Sequence, residues 1–80
     1  MLHATIESDR ERFHFSCEVT GYDLETLQHH VQQTARQGSA VRLRLEIEPT
    51  DRKAFARFGQ EWLPRVANRG TVEVQVVQLH

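Results

Sequence analysis

Between Val41 and Glu48 the chain alternates without interruption, with Val41, Leu43, Leu45 and Ile47 set against Arg42, Arg44, Glu46 and Glu48. A period of two is that of a β-strand with one buried and one wet face, so this segment requires a sheet covered on one side. The same period recurs at Leu2, Ala4 and Ile6, and again at Phe13, Phe15, Cys17 and Val19. With the chain turning at Ser8-Asp9-Arg10-Glu11, Ile6 faces Phe13, Ala4 faces Phe15, Leu2 faces Cys17, and Glu7 meets Arg12. One register thus satisfies both the apolar face and the charges. The turn lacks the Asn-Gly or Gly of a tight primed turn, which favours a four-residue loop.

Two segments carry helical spacing instead. After Thr20-Gly21, Asp23 is the expected N-cap of a helix that buries Leu24, Leu27, Val31 and Ala35, with Tyr22 stapled against Leu27 and Gly38 as the C-terminal stop. Pro49 ends the alternating strand, and Thr50 or Asp51 then caps a second helix carrying Phe55, Phe58, Trp62 and Val66. These aromatics are expected to form most of the core. Pro64 lies inside the second pattern, where it removes the bond to the Gln60 carbonyl, so a kink or break is expected near Leu63. Asn68-Arg69-Gly70 closes the helix, and Val72, Val74 and Val76 open a last strand running to the C-terminus.

The order ββαβαβ predicts an α/β two-layer sandwich over residues 1–80 as a single domain. Its two β-helix-β units imply right-handed crossovers, which place both helices on one face of a four-stranded mixed sheet. The other face stays open and collects His3, Thr5, Glu7, His14, Ser16, Arg42, Arg44, Glu46, Glu48, Thr71, Glu73 and Gln75. Val77 and Leu79 are the apolar exceptions on that face.

Charge limits the partners. Ten Lys and Arg oppose eleven Asp and Glu, a formal net charge of −1, which lacks the basic excess of a domain held to nucleic acid by phosphate neutralisation. No long apolar run or basic amphipathic helix suits a membrane. Met1 to Phe13 includes Glu7, Asp9, Arg10, Glu11 and Arg12 and has no apolar stretch of secretory type, so a cytoplasmic location is expected. Cys17 is the only cysteine, which excludes an internal disulfide and a cysteine-rich zinc module.

No catalytic or cofactor-binding constellation stands out, and the expected protein is not an enzyme. Of the five histidines, His29 and His30 are adjacent and diverge by about 100° on a helix. His3 and His14 are diagonal neighbours on the open face, without a third ligand to complete a metal site. Cys17 falls on the apolar face, where desolvation suppresses the thiolate. Arg42 and Arg44, with Arg52, Lys53 and Arg57 of the second helix, are the candidates for a nucleic-acid contact. Against it, the phenylalanines alternate inward, away from a face that would stack bases. The same strand also permits self-association, because an antiparallel approach of this strand or face to its own copy sets Arg42 opposite Glu48 and Arg44 opposite Glu46. A second candidate surface is the amide-rich outer side of the first helix, formed by Gln28, His29, Gln32, Gln33, Arg36 and Gln37.

From Phe13 to Ile47, a strand ending Val19-Thr20-Gly21, a helix opening Leu24-Glu25-Thr26-Leu27, and then the alternating strand, the chain resembles the first half of a STAS domain, the fold of anti-sigma-factor antagonists. In that family the next loop carries Asp-x-Ser-Ser-Gly or a close variant, whose serine is phosphorylated to release a partner kinase. Here the loop reads Glu48-Pro49-Thr50-Asp51-Arg52, with neither serine nor glycine, and Thr50 alone stands where a phosphoacceptor would be. The resemblance implies a regulatory domain that acts by binding a protein, either a partner or a second copy in a homodimer. The alternative is a small nucleic-acid-binding accessory domain.

Overall fold

The structure is a computed structural model that describes residues 1–36, 40–67 and 71–80. Its elements are β1 (Leu2–Glu7), β2 (Arg12–Cys17), α1 (Gly21–Arg36), β3 (Val41–Ile47), a 3-10 turn (Pro49–Asp51), α2 (Arg52–Ala67) and β4 (Val72–Gln78). The strands form one mixed sheet in the order β2-β1-β3-β4, antiparallel across β1 and parallel between β3 and β4. The hairpin has the register expected from the sequence, Leu2 opposite Cys17 through Glu7 opposite Arg12. Its loop closes with the Ser8 N–H donating to the Glu11 carbonyl at 2.8 Å and the Glu11 N–H donating to Ser8 Oγ at 3.2 Å.

Both helices cover one face of this sheet. Leu24, Leu27 and Val31 of α1 and Phe55, Trp62 and Val66 of α2 join Leu2, Ala4, Ile6, Val41, Leu43, Leu45 and Ile47 in a single cluster. The alternation decides this arrangement, because every apolar residue of β1 and β3 points to the helices and every polar one points to the open side. Trp62 ties the two helices together, its indole N–H donating to the Leu24 carbonyl at 2.8 Å. Gly59 lets α2 wrap its own aromatic, since a Cβ there would meet the Phe55 ring at 3.0 Å.

Several local expectations are corrected. Asp23 is not the N-cap of α1: it lies in the first turn, and its N–H donates to Thr20 Oγ1 at 3.2 Å, so Thr20 caps the helix one turn earlier. Tyr22 is 80% exposed and staples nothing. Neither Thr50 nor Asp51 caps α2, because Pro49 starts a 3-10 turn from Glu48 that feeds straight into Arg52, with no side-chain cap. α2 continues through Pro64 to Ala67 without a break. Pro64 and Gln60 are both exposed, so the carbonyl that loses its donor faces water, while buried Trp62 and Val66 hold the helix on either side.

The core is mostly aliphatic rather than aromatic. Phe13 is 56% and Phe58 41% exposed, the first on the edge strand β2 and the second on the wall of an open groove between α1 and α2. β2 ends at Cys17, leaving Val19 buried in the connection to α1, and β4 ends at Gln78, short of the C-terminus. The stop signals expected at Gly38 and at Asn68-Arg69-Gly70 lie outside the described residues.

Candidate functional site

The open face is a lattice of polar side chains in register. Reading across β2, β1, β3 and β4, one row is Arg12, Glu7, Arg42 and Glu73, the next His14, Thr5, Arg44 and Gln75, and the third Ser16, His3, Glu46 and Val77. The first row alternates in sign from strand to strand, which places unlike charges side by side. Arg12 Nε lies 3.7 Å from Glu7 Oε2, His3 Nδ1 lies 3.1 Å from Ser16 Oγ, and Thr5 Oγ1 lies 3.2 Å from His14 Nδ1. His3 and His14 are therefore diagonal, as their sequence positions imply. Among the described residues no group of three His, Cys, Asp or Glu is placed to hold a metal.

Arg42 and Arg44 border a shallow depression of about 230 Å³ on this face with Arg12, Thr5 and Gln75. The basic residues of α2, Arg52, Lys53 and Arg57, are exposed on the helical side of the sheet, so they do not extend that patch. Arg52 Nη2 donates to the Leu79 carbonyl at 2.7 Å, and the Arg57 guanidinium sits 5.6 Å from the centre of the Phe58 ring. The two sets of arginines thus face opposite ways.

Self-association through the edge of β3 is closed, because β3 is bonded to β1 on one side and β4 on the other. Only the face of β3 remains for the pairing of Arg42 with Glu48 and Arg44 with Glu46. Glu48 already has partners there: the Met1 ammonium pairs with both Glu48 and Asp51, and His3 Nε2 lies 3.7 Å from Glu48 Oε1. That ammonium holds the Glu48 carboxyl below the usual range, and the hydrogen bonds it donates to the Asp51 and Glu48 carboxylates hold the amine above its own. Thr50 is exposed in the turn beside these groups.

On the helical side, α1 and α2 bound a groove of about 310 Å³ with Gln28, His29, Phe58, Glu61 and Arg65 at its walls and Trp62 at its base. Gln28 and His29 therefore look onto α2, whereas Gln33 and Arg36 are exposed and Gln32 is half-buried. Gln37 lies outside the described residues. A third hollow, about 420 Å³, opens where β3 and β4 begin, between Asp9, Arg42, Thr71 and Glu73.

Cys17 is 6% exposed, and burial, reinforced by the negative charge of Asp23, pushes its thiol up to about 11. Among the described residues, the groups whose titration is displaced, the Met1 amine, Glu48 and Cys17, all lie outside the three hollows. An ordinary thiol titrates near 8.5, so the folded form favours the protonated state. That contribution to stability is complete below about 8.5 and is lost as the pH rises through the folded value. Native protein at pH 8 is expected to react with a thiol-specific disulfide reagent far more slowly than protein in urea, with stability declining from pH 9 to 11. Equal labelling rates in the two states would place Cys17 at the surface.

Sequence reasoning missed the outer edge of β4. The Val41 N–H donates to the Thr71 carbonyl and the Leu79 N–H to the Ile47 carbonyl, both at 2.8 Å, so odd-numbered residues of this strand bond to β3. By the alternation of a parallel ladder, the N–H and C=O groups of Val72, Val74, Val76 and Gln78 point the other way, to the free edge. The strand pairs with β3 residue for residue over its seven positions, without a bulge, and Glu73 is its sole charge. Val76 is 40% exposed there. The available signal was composition, since β2, the other edge, carries Arg12 and His14 whereas β4 reads Val-Glu-Val-Gln-Val-Val-Gln.

No family model, curated protein or solved structure matches this chain.

Proposed function

We propose that this chain is a non-enzymatic protein-interaction domain, regulatory in the manner of the STAS-like resemblance, which binds a protein partner or a second copy of itself. The observation that carries this reading is the outer edge of β4. A seven-residue strand with its outward backbone groups presented, no proline, no bulge and one charge is a template for another strand. Natural sheets block such edges unless something pairs with them. Strand addition draws its affinity from main-chain hydrogen bonds, so it requires no deep apolar pocket. On the STAS-like reading, the exposed Thr50 turn is where a phosphate would switch partner binding.

The test compares immobilised wild-type protein with Val76→Pro, in cell lysate with and without nuclease, followed by mass spectrometry of what is retained. The Val76 N–H faces outward, so proline removes an edge donor without breaking a bond to β3. A stoichiometric protein, either another chain or an untagged copy of this one, held by the wild type after nuclease and lost with Val76→Pro is the expected result. Capture that vanishes with nuclease would instead favour the nucleic-acid alternative at Arg42 and Arg44. Equal capture by both proteins would move the interface away from β4.

A further inference from the structure

We infer that the strand added to β4 is β4 of a second copy, in an antiparallel two-fold pairing centred on Gln75. This rests on the edge reading above and names its occupant. A two-fold axis normal to a sheet sets residues of the same face opposite each other, because facing residues in an antiparallel pair share a side. Centred on Gln75, the pairing uses the whole strand: Val72 faces the partner's Gln78, Val74 the partner's Val76, and Glu73 the partner's Val77. The residues whose N–H and C=O groups point outward, Val72, Val74, Val76 and Gln78, then meet as hydrogen-bonded pairs. Every outward backbone group of the strand finds a partner, and Gln75 meets its own copy as a non-hydrogen-bonded pair on the axis.

Side chains favour the same register. Val76, 40% exposed on the helical side, comes to lie against the partner's Val74. Glu73 and its copy are offset by four residues, about 13 Å along the strands, which exceeds a Debye length of about 8 Å in physiological salt. Sliding the strands by one residue pair toward Glu73 halves that offset and leaves residues at both far ends unpaired. The other exposed edge does not offer an equivalent surface, since β2 is shorter and sets Arg12 and His14 on its open-face side. Joining β4 to β2 of the next copy would also repeat without closing, whereas β4 on β4 closes at two. The polar lattice of the open face and the helical groove remain free in this dimer.

Sedimentation equilibrium of the full chain, from low to several hundred micromolar, tests the stoichiometry. A reversible dimer that grows no further is expected, with the association constant reduced at least tenfold in both Val76→Pro and Val76→Lys and the far-UV spectrum unchanged in the lysine variant. Register is tested separately by Gln75→Cys. On the axis of a non-hydrogen-bonded pair the two Cα atoms are about 4.5 Å apart, within disulfide range, so mild oxidation should yield a covalent dimer. Glu73→Cys, which faces the partner's Val77, should not cross-link to itself. A ladder of larger oligomers overturns the two-fold pairing, and efficient cross-linking of Glu73→Cys overturns the register. A chain that stays monomeric throughout, while its lysate capture still depends on Val76, overturns the second copy and leaves the edge reading standing. A dimer indifferent to both Val76 variants overturns the edge reading as well.

Discussion

Trp62→Ala is expected to cost about 3–5 kcal/mol, the loss typical of deleting a large buried aromatic. For a domain of 80 residues, total stability is about 4–12 kcal/mol, so this single change removes a large share of it. Trp62 is 5% exposed and stands where both helices meet above the sheet, in contact with α1 through its bond to the Leu24 carbonyl. Its removal therefore empties volume at the junction of three elements rather than within one. With a urea slope of about 1 kcal/mol per molar, the midpoint should fall by roughly 3 M or more, and the variant should be partly unfolded without denaturant. Far-UV circular dichroism is the right probe, because Trp62 is the only tryptophan and its fluorescence vanishes with it. A fall below about 1 M would mean that the helices do not meet over this side chain.

Trp62→Phe separates packing from hydrogen bonding at the same site. It keeps a ring but removes the donor to Leu24, whose carbonyl also serves the α1 ladder and so keeps one partner. The cost should be about 1–2 kcal/mol, well under that of alanine.

The face pattern of each strand was legible in the sequence because it depends only on the residues of that strand. Alternation located β1 and β3 and, with the Glu7 and Arg12 pair, the hairpin register. What went astray depended on neighbours. Asp23 and Thr20 are both good caps, and the choice between them turns on where the chain leaves β2, which is a tertiary matter. Phe13 has the right parity for the core, yet it sits on an edge strand that the helices do not fully cover. The local cost of Pro64 predicts a break, whereas the helix on both sides of it is held by burial.

The candidate site divides the same way. Arg42, Arg44, Glu46 and Glu48 were placed on the open face by parity. That Glu48 belongs to the Met1 ammonium, and that the α2 arginines look away from Arg42, followed only from strand order and helix placement. Strand order also decides which strands are edges, so the low charge of β4, visible in the sequence, marks an open edge only once the sheet is assembled. Its valines look like core residues in the sequence, and three of them are half-buried, but among the described residues one side of the strand has no neighbouring strand.

One row of the sheet turns this difference into an expected measurement. Phe15, Ala4, Leu45 and Val76 lie side by side on the helical face, from one edge to the other. Leu45 is 0% exposed in the centre, so Leu45→Ala should cost about 2–5 kcal/mol at any protein concentration. Val76 is 40% exposed at the rim, and in an isolated chain Val76→Ala should cost about 1 kcal/mol or less. A second β4 laid along the edge covers that side chain, so its loss then weakens the dimer as well as the fold. Because folding coupled to association gains stability by mass action, an about hundredfold rise in concentration favours the paired wild type by about 2.7 kcal/mol per dimer. Denaturation of wild type, Leu45→Ala and Val76→Ala at the two concentrations should show a constant penalty for Leu45 and a growing one for Val76. A penalty under about 1 kcal/mol at Leu45 would contradict its central position, and a Val76 penalty that does not change with concentration would contradict pairing at the β4 edge.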